Sequence, residues 1–467
     1  MQKKINMDLW LSRIGLALIF WYCLLASIFF SYFAQKHVTF DFVPFPIFVG
    51  EIVMFICFLL LVCIDMGGHA INRRTKILLS IYFGWVGIRA LINYHYDGPL
   101  TCRNAALFYY PIFAVFAYCF YKKARIPRKM LMSLAFLAAG ILFLKMMVFW
   151  YWWTYFILLV IAVWNTKSVK WRWLGWFFLV CILLLGKEYL YKGPRAHVVS
   201  VFGSVVFLVV YFGFLLAKQR KYLVLSGLLV SLFVFIMGIF FFSDRRDIDS
   251  VIYIKEMIST YKMFDKRIQE SKETYVPAKI KVQLYNPKEP PSSPSITQVA
   301  SIKNVVQCRM REGQTFDLDE GDTMFRLFVW RDMACELIEK RAWWGFSFGH
   351  PQRSRSLEVL GWASLEWSRD GWIAPHNSFF HIIYRAGILG IGLVGGIFFM
   401  IGKLIKDFFN MNSVGGGLLV GVLIYWLILS NFFVILEFPY NAIIFWSLFG
   451  IAMEYRSRLK KILKGAH

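Results

Sequence analysis

Acidic residues are scarce in this chain: 28 Asp and Glu stand against 52 Lys and Arg, a formal charge of +24. None of the 8 cysteines forms a CxxC pair or another metal-ligand spacing, which removes zinc modules and dithiol redox motifs from consideration. HExxH and the phosphate-cradling GxxxxGK[S/T] are absent, and no GxSxG nucleophile motif is expected. No repeat with a period of roughly 20–50 residues is visible, so solenoids and propellers are excluded. A cleavable signal peptide is not apparent, because the first apolar run is long and leads into "YFAQKHVTF" instead of a small-residue cleavage site.

What the chain does have is apolar length. It is 58% hydrophobic and 19% aromatic, with a mean hydropathy of +0.56. These values lie well outside the soluble average. Apolar runs of about 17–25 residues recur, each long enough to cross a bilayer as a helix. The positive charge therefore has a topological meaning before a nucleic-acid one, and no nucleic-acid partner is implied. Basic residues fall at regular places between the runs: Lys3 and Lys4, Arg73, Arg74 and Lys76, "YKKARIPRK", "TKSVKWRW", "AKQRK", Lys403 and Lys406, and the tail "YRSRLKKILK". The alternate connections, among them "AQKHVTF", "KEYLYKGPRAH" and "EFPYN", are poorer in them. Placing the basic set in the cytoplasm predicts an all-α integral membrane protein of about twelve spans with both termini inside. That count requires two short helices between Met130 and Trp164, meeting near Lys145. A single helix there would invert everything downstream.

On this reading residues 1–243 hold the first nine spans, and residues 373–467 hold the last three and a basic tail. Between them, residues 244–372 form one large, partly helical loop on the outer side, too long for an idle connection. The loop opens with the charged "DRRDIDSVIYIKEMISTYKMFDKRIQ" and passes through the proline-rich "YNPKEPPSSPS". It then enters the helical pattern "DTMFRLFVWRDMACELIEKRAWW", with Asp322 or Thr323 as its N-cap. Cys308 and Cys335 share this loop and either pair there or stay as free thiols.

The stretch "IAPHNSFFHIIYRAGILG" carries the most unusual chemistry. A span that opens with His376 and Asn377 and then holds His381 and Arg385 is not built for lipid, because ionisable groups at membrane depth are costly. Asn377, His381 and Arg385 recur at i, i+4 and i+8, one stripe that must face the bundle interior or a polar cavity. His376 stands at the positive end of a helix, which favours a neutral imidazole able to act as a general base. The competing reading is a histidine that only caps the helix. Two arginines share the predicted side. Arg195 precedes a span in "KGPRAHVVSVFG", and Arg326 lies on the loop helix on one face with Trp330, Met333 and Leu337. Guanidinium forks suit phosphate, although each arginine alone also fits an interfacial anchor.

In order and sidedness these residues resemble the O-antigen ligase and O-antigen polymerase family of bacterial envelope glycan transferases. The resemblance rests on Arg326, Trp330, the turn "WWGFSFG" with Gly345 and Gly349, the pair His376–Asn377, and the spaced Gly387 and Gly390. Arg195 is similar to an earlier family arginine at the start of a span. The basic Arg385 is a departure, and "AWWGFSFGH" lacks a proline often found before that turn. Among upstream arginines, Arg103 at the outer end of a span is a better supporting candidate than Arg89.

The resemblance implies transfer of a glycan from a polyprenyl diphosphate carrier to a hydroxyl on a lipid or glycan acceptor. This would occur at the periplasmic face of a bacterial inner membrane, as in ligation onto lipid A-core, without cofactor or metal. His376 would be the base, Arg195 and Arg326 would bind the diphosphate, and Arg103, Asn377, His381, Arg385 and Trp330 would support them. A polymerase of lipid-linked repeat units and a non-enzymatic transporter of lipid-linked sugar are the alternatives. A transporter would show charges along a path into the cytoplasmic half and inverted repeats. The acidic triplets "DID" (247–249) and "DLD" (317–319) are too short to argue for metal.

Overall fold

The computed structural model describes residues 2–29, 36–40, 43–65, 71–98, 100–124, 195–220, 318–359 and 375–465, with Phe33, Thr154, Ile157, Val160 and Lys262 as isolated positions. Its elements in chain order begin with α1 (Gln2–Phe29), β1 (His37–Phe40), β2 (Val43–Phe48), α2 (Val49–Asp65), α3 (Arg73–Asp97), α4 (Leu100–Tyr109) and α5 (Ile112–Ala124). They continue with α6 (Arg195–Lys218), α7 (Leu318–Glu339), α8 (Arg355–Val359), α9 (Ser378–Asn410), α10 (Val414–Leu429) and α11 (Pro439–Gly465).

Among the described residues, five helical stretches are long and apolar enough to cross a membrane: Met7–Phe29, Arg73–Asp97, Leu100–Ala124, Ala196–Lys218 and Ser378–Asn410. Val49–Ile64 and Val414–Leu429 are apolar but shorter. The protein is thus a predominantly helical, multi-pass membrane protein. The division of Met130–Trp164 near Lys145, the amphipathic stretch after Asp244 and the proline-rich run fall almost entirely outside the described residues.

The all-α expectation needs one correction. The connection between α1 and α2 is an antiparallel hairpin in which His37 faces Phe48 and Val38 faces Ile47, with a bulge between Val38 and Phe40. The β-branched and aromatic residues of "HVTF" and "VPFPIF" favour a pleated ribbon. The prolines of β2 are tolerable in a two-stranded sheet, where one edge of each strand needs no partner. Glu51, near the start of α2, is tied into the core, accepting from Tyr109 Oη at 2.8 Å and Tyr110 Oη at 2.5 Å.

The chain divides into two compact units. The first comprises residues 1–243, 347–349 and 376–467. Here α5 packs on α1 and α11, and α10 packs on α6, α9 and α11. Close approach depends on small residues, as is usual between membrane helices. A Cβ on Gly450 of α11 would strike the backbone of Ala114 in α5, so any larger residue forces these helices apart.

One end of this unit collects basic groups. Asp407, near the end of α9, pairs with Arg456 and, at 2.8 Å, with Lys460 of α11. Arg458 donates to Tyr121 O in α5, and Arg13 Nε donates to Ala124 O at 3.3 Å. The opposite ends of α9 and α11 carry His376 and Glu437 just ahead of their first turns.

The second unit comprises residues 244–346 and 350–375, and its described part is α7, α8 and their connections. Phe328, Val329 and Met333 form the buried face of α7. Asp332 on the same helix accepts from Ser354 Oγ at 2.6 Å, Ser356 Oγ at 2.6 Å and Ser356 N at 2.7 Å, which seats α8.

Candidate active site

The first turn of α9 is where the sequence places most of its chemistry. His376 has a φ of +51°, the left-handed region that a non-glycine residue enters at a cost of about 1–2 kcal/mol. Asn377 follows in an extended conformation, and its Oδ1 accepts from Phe380 N at 2.9 Å. Asn377 is therefore the N-cap, and the reading of His376 as the cap is corrected. A short Asx side chain reaches the N3 amide from the cap position, and the imidazole is left one residue outside the helix.

Ser378 locks this start to the turn 430–438. Its N–H donates to Ser430 O at 2.8 Å and its Oγ to Phe433 O at 3.0 Å, while Leu436 N donates back to Ser378 Oγ at 3.1 Å. The Phe433 ring lies 6.4 Å from the His376 ring, centroid to centroid.

One helical turn further in, the polar stripe closes into a chain of contacts. His381 and Arg385 are only 2% and 1% exposed, so the stripe faces the interior. Arg385 Nε donates to His381 Nε2 at 3.1 Å, and His381 Nδ1 lies 3.2 Å from Glu437 Oε2. Arg103 Nε in α4 donates to Glu437 Oε1 at 2.6 Å. Because Nε2 accepts from a guanidinium, the imidazole is the neutral tautomer with its proton on Nδ1, facing the carboxylate. Burial pushes the Glu437 carboxyl up, but the Arg103 guanidinium and His381 outweigh it and hold it down at about 2. Glu437 was not anticipated. A lone acid in "EFPYN" gives no periodic signal, and its partners lie in other segments.

Below this chain α9 breaks. Gly387 has φ +56° and ψ −130° inside the helix. A side chain there would be strained, so the spaced glycines serve a kink. Broken helices at membrane depth are tolerated where protein surrounds the released backbone groups, as at many binding sites.

Two further pieces of the same unit reach this end of α9. Arg195 is the first residue of α6, and His197, two positions on, is buried with its Nδ1 2.8 Å from Tyr425 Oη. The His197 ring also meets Phe433 at 5.9 Å, so the start of α6 and His376 converge on one aromatic ring. The tripeptide Ser347–Gly349 is held by Arg385 Nη1 on Ser347 O at 2.9 Å, by Asn104 Nδ2 on Phe348 O at 2.6 Å and by Ser347 Oγ on an Asp97 carboxylate oxygen at 2.6 Å. Arg89 lies over the Phe348 ring at 5.1 Å.

Residues 345–349 do read Gly-x-Ser-x-Gly, which corrects the expectation that this pattern is absent. The strand–turn–helix of a nucleophile elbow is missing, and Ser347 donates to a carboxylate, not to a histidine.

Arg326 and Trp330 belong to the other unit. They are half-buried on α7, and Trp330 Nε1 donates to Pro375 O at 2.5 Å. The helix begins at Leu318, so Asp322 and Thr323 lie inside it and do not cap it. Cys335 is a free, exposed thiol. Among the described residues no group of three His, Cys, Asp or Glu is arranged to hold a metal ion.

The model of the O-antigen ligase family matches residues 194–395. That segment holds Arg195, Arg326, Trp330, His376, Asn377, His381 and Arg385, but neither Arg103 nor Glu437. The match supports assignment of the chain to this family. No curated protein and no solved structure gives a match.

Proposed function

With the O-antigen ligase family as premise, we propose that the protein transfers a glycan from a polyprenyl diphosphate carrier to an acceptor hydroxyl, with His376 as general base. His376 takes the hydroxyl proton as the acceptor oxygen attacks the anomeric carbon. The bond from that carbon to the diphosphate oxygen breaks, and the polyprenyl diphosphate departs with its electron pair. Arg195 and Arg326 bind the diphosphate and stabilise the charge that develops on it, the usual electrostatic share of catalysis. The energy resides in the lipid-linked donor, so the step needs no nucleotide and, on this proposal, no metal. The site faces the periplasm of the bacterial inner membrane, with both termini and the basic bundle end in the cytoplasm.

The observation that carries this reading is the imidazole one residue outside a helix already capped by Asn377. It spares His376 capping duty and keeps a base beside the helix start. Ligation onto lipid A-core is the preferred outcome, with polymerisation of lipid-linked repeats second. A transporter is less favoured, because the buried ionisable chain sits near one end of α9 and does not run along it. Reconstituted protein with a lipid-linked glycan and each candidate acceptor in turn is the direct test. Extension of lipid A-core establishes a ligase, extension of lipid-linked glycan a polymerase, and no transfer to any acceptor refutes the enzyme reading.

A further inference from the structure

Glu437 stands at the meeting point of three elements far apart in the chain. It binds Arg103 of α4 at 2.6 Å and lies 3.2 Å from His381 of α9, while its own turn precedes α11. A buried carboxylate is costly unless it is strongly partnered, and removing a partner leaves the other charge stranded. The side chains along this chain differ in access. Those of Glu437 and His381 are 2% exposed, whereas that of Arg103 is 26% exposed. Arg385 is buried at 1%. An anion approaching the chain therefore meets Arg103 first.

The contact from Nε to Glu437 fixes the plane of the Arg103 guanidinium, and a planar fork of fixed orientation is what bidentate phosphate recognition requires. The same turn carries Phe433 beside His376 and bonds Leu436 N to Ser378, so Glu437 and the candidate base are seated by one piece of chain.

We infer that Arg103 contacts the diphosphate of the lipid-linked donor and that Glu437 is a positioning residue which orients Arg103 for that contact. This rests on the proposed transferase reading for the identity of the ligand, yet it is tested without turnover. Binding of a polyprenyl diphosphate bearing no sugar is measured on the purified full chain in zwitterionic nanodiscs. Arg103→Ala is expected to weaken binding roughly tenfold or more, the cost of losing one charged hydrogen-bond donor. Glu437→Gln, which keeps the shape, is expected to weaken it several-fold. In the Arg103→Ala background the same Glu437→Gln change is expected to add almost nothing, because its effect passes through Arg103.

Equal losses in both backgrounds would make Glu437 a general support of the fold and overturn the assignment. So would wild-type affinity in Glu437→Gln, or no binding by the wild-type protein. If single variants fail to fold, Arg103→Met with Glu437→Leu removes both charges together and strands neither. That pair is expected to fold and to lose diphosphate binding, and binding at the wild-type level would refute the proposal. Displacement by an equimolar amount of phosphatidylglycerol would assign Arg103 to general headgroups and overturn the diphosphate claim. Binding that follows this pattern without any glycan transfer would sink the transferase reading alone.

Discussion

The two ends of α9 hold their charges in opposite ways. At one end Asp407 pairs with Arg456 and Lys460 on a partly exposed surface, where Lys460 keeps 42% of its side chain exposed. At the other end Glu437 is enclosed, accepting a directional hydrogen bond from the Arg103 guanidinium at 2.6 Å and lying 3.2 Å from a ring nitrogen of His381. Water and neighbouring lysines can substitute for contacts at the first end. At the second, the Glu437 and His381 side chains are 2% exposed and offer solvent almost no surface. The exposed end therefore contributes charge and sidedness, while the enclosed end contributes orientation, and only orientation serves chemistry.

The sharpest way to test that contrast is at the base. His376→Ala is expected to lower transfer by about 10²–10⁴-fold, the usual worth of a general base, while leaving donor binding intact. Activity of the wild-type protein should fall on acidification, because a protonated imidazole accepts no proton, and chelators should have no effect. Wild-type turnover in His376→Ala, or chelator inhibition reversed by a divalent ion, would overturn the mechanism.

Next in size is the enclosed carboxylate. Glu437→Leu alone strands Arg103 and should destabilise the protein by about 3–5 kcal/mol in detergent unfolding. A loss below about 1 kcal/mol would mean that water reaches this chain. The sign with pH follows from the lowered carboxyl. The stabilisation from Glu437 is complete above the ordinary carboxylate range near 4.3, and it is lost as pH falls through the folded value of about 2.

Asn377→Ala removes the cap and should cost about 1 kcal/mol, with a loss of transfer if the cap also holds His376 in its left-handed conformation. An unchanged melting temperature would show that Ser378 alone seats the helix. Smallest of all, Asp407→Asn should shift stability by less than about 1 kcal/mol and leave transfer unchanged. A large loss there would erase the distinction between the two ends.

Several of these features were legible in the residues. His381 and Arg385 at i, i+4 spacing in an apolar helix could only face inward, and the structure buries them. His376 and Asn377 were recognisable as the opening of a span, but their division of labour was not. Two adjacent polar residues compete for one cap, and backbone geometry decided in favour of Asn377. The β-hairpin is not legible in the residues, because a run of four residues with two prolines nearby carries little periodic signal.

By itself, then, the sequence determined a helical, multi-pass membrane protein with basic clusters between its apolar runs and a histidine-led span. Hydropathy and charge are sums over neighbouring residues, and lipid demands backbone hydrogen bonds closed within each segment. Only the tertiary structure decided which anion holds His381, that Arg103 and Glu437 meet across 334 positions, and that the start of α6 reaches the ring beside His376. Such contacts depend on how distant helices pack, and no local pattern encodes a partner several spans away.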